Sequence, residues 1–347
     1  MKINSLSLAC ASLVVATAAF AIDSTEPPKA EPRMQQVLDA LAALDGKPIE
    51  TLTPQEARQQ PTPADAVQQL LKDQGKSTSP QAGATVKQMA ADGPQGRIPL
   101  AVYTPAGKGP FPVLLYYHGG GFVLADTKTY DASVRALAKG AQAVVVSVEY
   151  RQAPEHKFPA APDDAFAAYR WVLDHAKELN GDPARVAVAG ESAGGNLATV
   201  VALMARDKGA KAPLHQLLIY PVVGDDMSTP SYQRNANAKP LNKPMMQWFF
   251  KQYLNGPDDA QNPYALPLKA DSLKGLPPAT VITAEIDPLA TEGERYVEKL
   301  KKDGVKVEYR QFDGVTHEFF GMAPVVPKAE DAQKFAIDNL KKAFAAK

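Results

Sequence analysis

From about residue 84 onward the chain alternates short apolar strands with amphipathic helical patterns, and few architectures satisfy that rhythm. Ile98–Tyr103, Val113–Tyr117, Ala143–Val148, Arg185–Ala189, Gln216–Tyr220, Ala279–Thr283 and Val305–Phe312 read as strands rich in Val, Ile, Leu and Tyr. Several are apolar without a break, as a strand covered on both faces must be. Helical periodicity falls between them, near 130–139, 163–179, 193–207, 289–303 and 328–345. This alternation predicts an α/β chain with a mostly parallel sheet and helices on both faces.

Two stretches depart from the pattern. Residues 224–262 open on turn-formers around Asp225 and Pro230. They then give one amphipathic segment, Pro244 to Leu254, carrying Met245, Met246, Trp248, Phe249, Phe250 and Tyr253. We read an insertion that caps the sheet edge; an ordinary crossover helix with core aromatics is the plainer alternative. Residues 22–80 place Met34, Val37, Leu38, Leu41 and Leu44, then Val67, Leu70 and Leu71, at helical spacing. Two helices joined by a Pro-rich loop are expected there. Their apolar surface is too small to fold alone, so they should dock on the 81–347 domain as part of the cap.

The chemistry-bearing residues sit where strands end. Gly190-Glu191-Ser192-Ala193-Gly194 follows a buried-strand pattern and precedes a helical one marked by Leu197, Val200, Val201 and Met204. A strand–turn–helix with G-x-S-x-G is the arrangement that exposes a serine hydroxyl at a tight turn. Glycine at both ends relieves the crowding of so sharp a turn. The helix N-terminus behind it presents partial positive charge to a developing anion. A glycine-rich turn with Ser192 as a simple helix cap is the alternative.

His118-Gly119-Gly120-Gly121 directly follows another strand. Backbone N–H groups stabilise an oxyanion only where no side chain intervenes, and each donor is worth about 3–4 kcal/mol. We assign the donors to Gly120, Gly121 and Ala193, with His118, Gly119 and Glu191 supporting the loops. Asp287 follows the Ala279–Thr283 strand and His317 follows Val305–Phe312. In a parallel sheet all C-terminal strand ends share one edge, so Ser192, Asp287 and His317 should meet there as nucleophile, orienting acid and general base. Asp287 before Pro288 also fits a helix N-cap, and Glu285 is the rival acid. His156, His175 and His215 follow no late strand. No metal-ligand spacing occurs, so no metal is expected.

With these motifs in view, the chain resembles the hormone-sensitive-lipase-like family of α/β-hydrolases from about residue 85 to its end. His118–Gly121, Gly190–Gly194, Asp287-Pro288-Leu289 and His317-Glu318-Phe319 carry the likeness. Tyr150-Arg151-Gln152-Ala153-Pro154-Glu155 matches a structural loop beside the family's site. Tyr220-Pro221 and Pro230-Ser231-Tyr232 match the start of its cap insertion. The family pattern often has Asp before the serine; here Glu191 keeps the charge. The resemblance implies the α/β-hydrolase fold and a carboxylesterase for short- to medium-chain esters. It implies an acyl-enzyme on Ser192 and no cofactor. Phe122, Trp248, Phe249 and Phe320 are the pocket residues we expect to shorten the acyl site.

Charge and targeting narrow the remaining classes. Lys+Arg and Asp+Glu both number 38, so no basic excess points to nucleic acid. Lys2 and the apolar run Leu6–Phe20, ending in Ala19-Phe20-Ala21, read as an export signal cleaved after Ala21. At about 15 residues the run falls short of the ~20 that span a bilayer. The mature protein is expected in the periplasm or secreted, without a stable membrane anchor, as monomer or homodimer. The single cysteine, Cys10, lies inside that run and does not read as a lipid attachment site. An amidase, peptidase, thioesterase or lactonase would use the same triad. A non-catalytic binding scaffold would not need all three residues and the glycine loop.

Overall fold

A computed structural model describes residues 27–346; the export-signal reading falls outside the described residues. Eight strands form one sheet: β1 Ala84–Gly93, β2 Gly96–Pro105, β3 Phe111–Tyr117, β4 Val144–Val148, β5 Gly181–Glu191, β6 Gln216–Ile219, β7 Ala279–Ile286 and β8 Val307–Thr316. Their spatial order is β1-β2-β4-β3-β5-β6-β7-β8. β1 and β2 form an antiparallel hairpin whose second strand pairs antiparallel with β4. All other neighbours are parallel, so the C-terminal ends of β3, β5, β7 and β8 lie along one edge.

The strand period of two divides the core. Val113, Leu115 and Tyr117 of β3 enter one apolar layer and Leu114 and Tyr116 the other. Helices α5 Ala160–His175, α6 Ala193–Asp207 and α9 Ala290–Lys302 cover the first layer; α4 Asp131–Ala141 and α10 Pro327–Ala345 cover the second. Every residue of β3 and β4 is buried, which accounts for their unbroken apolar sequence. β1 was not expected. Only Ala91 of its residues is buried, and Lys87, Gln88 and Asp92 interrupt its apolar positions.

The N-terminal region holds α1 Pro32–Ala43, a short turn at Ile49–Thr51, α2 Pro54–Ala57 and α3 Pro63–Asp73. Thr53 and Thr62 cap α2 and α3, each closing a capping box with an acidic partner, Glu56 and Asp65. Met34 and Val37 of α1 and Val67 and Leu71 of α3 join the second apolar layer. Residues 224–262 form α7 Pro230–Arg234 and α8 Lys243–Tyr253. Trp248 of α8 donates its indole N–H to the Leu52 carbonyl at 3.1 Å, tying the two departures from the sheet pattern together.

Candidate active site

Ser192 sits between β5 and α6 at φ 56°, ψ −119°, a backbone region unfavourable to a non-glycine residue. The packing around it explains the flanking glycines. A Cβ on Gly190 would lie 2.1 Å from the Gly194 carbonyl oxygen, and one on Gly194 1.8 Å from that of Tyr117. The Ser192 N–H donates to Ile219 O at 2.9 Å, and its carbonyl accepts from Asn196 N at 3.0 Å. Asn196 is buried and donates through its side chain to the carbonyls of Val222 and Ala265. The hydroxyl makes no helix-capping bond.

That hydroxyl lies 2.9 Å from His317 Nε2, and His317 Nδ1 lies 2.6 Å from Asp287 Oδ2. All three side chains are buried. Asp287 Oδ1 accepts the Leu289 N–H at 2.9 Å, an Asx turn. Helix α9 starts only at Ala290, with Leu289 as its N-cap, so Asp287 is not the capping residue that its place before Pro288 suggested. The Asn235 side-chain amide donates to the carbonyls of Asp287 and Glu285. Glu285, the rival acid, instead accepts the Gly314 N–H at 2.7 Å. Burial works against an imidazolium at His317, but Asp287, followed by Glu318 and Glu191, outweighs it and holds the pKa above the ordinary histidine value.

The glycine loop lies alongside. Gly120 and Gly121 adopt φ of 94° and 61°. Among the described residues, the N–H groups of Gly120, Gly121 and Ala193 donate to no other group. His118 is buried, with Nδ1 2.8 Å from Gly119 O and its ring stacked on Tyr150. The Tyr150 hydroxyl donates to the carbonyls of His118 and Gly119, and Gln152 donates to those of Leu124 and Ala125. The 150–155 segment thus braces the loop. So does Arg58 of the N-terminal region, which motif reading missed. Its guanidinium donates to Val123 O and Ala153 O at 2.9 Å each and pairs bidentately with Glu155.

The four expected pocket aromatics separate. Phe122 stacks on Tyr253 with ring centroids 3.8 Å apart, Trp248 meets Phe249 edge-on, and Phe122, Trp248 and Phe249 belong with Tyr253 to the first apolar layer. Phe320 is fully buried in the second layer. It follows Phe319 in a short helical turn whose side chains pack among Val134, Met322 and the α10 residues, so it is not grouped with the others.

Glu191 is sealed in behind Ser192, where the hydroxyls of Tyr116 and Tyr220 each donate to one of its carboxylate oxygens. Burial, with the charge of Glu318, pushes its carboxyl up to about 7 against those bonds. Glu318 receives the Tyr130 hydroxyl, 2.7 and 2.9 Å from its two oxygens. None of the three tyrosine contacts carries a motif, because the partners are 75, 29 and 188 residues apart.

Residues 114–321 match a family profile described as the alpha/beta hydrolase fold. Among curated proteins, the chain is 45% identical over 251 residues to the carboxylesterase NlhH of Mycobacterium tuberculosis, covering 71% of this chain and 79% of that one. It is 34% identical over 270 residues to an ethyl acetate hydrolase of Pseudomonas putida, covering 77% and 84%. Among solved structures, a hyperthermophilic esterase of Pyrobaculum calidifontis superposes with a TM-score of 0.83 at 39% identity, covering 91% of this chain and all of that one. The strand order, the serine at its strained turn and these likenesses agree: the chain belongs to the hormone-sensitive-lipase-like family of α/β-hydrolases.

Proposed function

We propose that the chain is a carboxylic-ester hydrolase that works through an acyl-enzyme on Ser192. The observation that carries the reading is the unbroken chain from Ser192 Oγ through His317 to Asp287, at 2.9 and 2.6 Å. His317 Nε2 takes the hydroxyl proton as Ser192 Oγ bonds to the ester carbonyl carbon. The carbonyl oxygen becomes an oxyanion beside the N–H groups of Gly120, Gly121 and Ala193, which need no reorganisation to receive it. His317 then returns the proton to the departing alkoxide. Water, deprotonated by His317, attacks the acyl-enzyme and releases the acid. Asp287 remains ionised and fixes the imidazole.

The carboxylesterase and ethyl acetate hydrolase relatives support an ester over an amide, and aromatic bulk at Phe122, Trp248 and Phe249 supports a short to medium acyl chain. Residues 27–80 and 224–262 act as the cap. The signal-like first 21 residues support export to the periplasm or the medium. Parallel assays with p-nitrophenyl butyrate and butyryl p-nitroanilide test the bond, and faster anilide turnover overturns the ester. Phosphonate labelling followed by peptide mass mapping tests the nucleophile; label on any residue but Ser192 overturns it.

A further inference from the structure

Two carboxylates stand behind the reacting atoms and take no step in that chemistry. Glu191 precedes the nucleophile and Glu318 follows the base. Glu318 Oε1 lies 3.8 Å from His317 Nε2, beyond hydrogen-bond distance, so it does not compete with Ser192 for that nitrogen. We propose that Glu318 is a second carboxylate for His317, facing its Nε2 edge as Asp287 faces Nδ1, and that it stabilises the imidazolium formed at each proton transfer. The inference rests on the triad reading above.

Three observations support it. Glu318 occupies the left-handed region at φ 70°, a conformation costly for a non-glycine residue and kept where its surroundings over-determine it. Tyr130 supplies that constraint by donating its hydroxyl to the Glu318 carboxylate, within reach of both oxygens. The solvation of the two acids also differs. Glu191 is 1% exposed, whereas the Glu318 side chain keeps 21% of its surface accessible; both border a cavity of about 50 Å³. Such a cavity has room for one or two waters, at ~30 Å³ of liquid volume each. Ser133 lines it too.

Of two interacting carboxyls, the better-solvated one ionises more readily than the sealed one. The ionisable groups around Glu318 fit this division. His317 and Asp287 face it from the triad, Glu191 from the end of β5, and the Tyr130, Tyr116, Tyr150 and Tyr220 hydroxyls from the segments around them. Helix α3 brings only Pro63, Ala64 and Val67 to the cavity. Burial, with the Asp287 charge, holds the Glu318 carboxyl above the ordinary glutamate value, against the His317 charge and the Tyr130 bond.

The test is the His317 titration, followed by NMR of histidine-labelled protein in a Ser192→Ala background, where no turnover is needed. Glu318→Gln keeps shape and removes charge. It should lower the His317 midpoint by about one unit, and in the Ser192 enzyme move the acid limb of kcat/KM down equally while kcat at its plateau falls ~10-fold. Tyr130→Phe, which weakens the carboxylate's hold on its charge, should move the midpoint the same way by less. A midpoint unchanged in Glu318→Gln overturns the proposal; if that variant does not fold, an unchanged midpoint in Tyr130→Phe overturns it. Ester turnover surviving in Ser192→Ala would overturn the triad reading instead, so the two failures are told apart.

Discussion

Phe249 of α8 lies directly on Gly121 of the glycine loop: a Cβ at Gly121 would sit 2.2 Å from the Phe249 ring. One ring therefore walls the space next to two proposed oxyanion donors. Phe249→Ala should open that wall toward longer acyl chains. We expect kcat/KM for a C10 p-nitrophenyl ester to rise ~10-fold relative to C4, the scale on which methylene-sized pocket changes act. An unchanged C10/C4 ratio places the acyl pocket elsewhere.

The acid assignment separates two nearby carboxylates. Asp287→Asn should drop kcat roughly 10⁴-fold, because the amide stabilises the wrong imidazole tautomer. Glu285→Gln retains an acceptor for the Gly314 N–H and should stay within about threefold of wild type. Ser192→Ala should lose ~10⁵–10⁶ in kcat with an unchanged circular dichroism spectrum. Steady-state kinetics on the three variants decides among these residues.

Arg58 joins the N-terminal region to the loop that carries the oxyanion donors. Its exposed pairing with Glu155 should contribute little, but its two bonds to buried-loop carbonyls should hold Val123 and Ala153 in place. Arg58→Ala should lower kcat about 10-fold with little change in KM, as expected for a contact that positions transition-state donors. Lysine lacks the planar fork and should not restore the rate, whereas millimolar guanidinium should do so in part. A rise in KM at constant kcat would assign Arg58 to substrate entry.

Glu292 provides a pH test independent of activity. Its carboxylate accepts the Val223 and Gly224 N–H groups, yet burial pushes its pKa up to about 8. A carboxyl whose folded pKa exceeds its unfolded value, 4.5, contributes stability fully below pH 4.5 and loses it as pH rises toward 8. Glu292→Gln mimics the protonated form. It should match wild type near pH 5 and exceed its Tm by about 2–5 °C at pH 9. Thermal scans at the two values check the sign, and equal gains at both would contradict it.

Seven of the eight strands were legible, the central ones because burial on both faces leaves continuous apolar runs, and the parallel topology then sends residues 192, 287 and 317 to one edge. β1 escaped because an exposed edge strand needs no apolar run; Ala84–Gly93 is held by pairing with β2. The braces escaped for another reason. Arg58 meets carbonyls 65 and 95 residues away, and Tyr130 meets Glu318 across 188. A carbonyl acceptor leaves no trace in residue identity, and an isolated Tyr–Glu pair has no spacing to recognise. Phe320 shows the converse: an aromatic next to a motif residue can belong to the opposite layer, since neighbours along a turn diverge.

Met34 of the first helix receives the Thr316 hydroxyl at 3.5 Å, and the Glu31 N–H reaches Gly314 O at 2.8 Å. The earliest described helix is thus fastened to the strand end that precedes His317, 282 positions later. At ribosomal speeds of 5–20 residues per second, that partner emerges roughly 15–60 s after the helix does. During this interval the newborn chain carries an unpaired apolar stripe and an unfinished reaction centre. Hydrolytic power therefore arrives only once residue 317 has emerged, however early the helix was made.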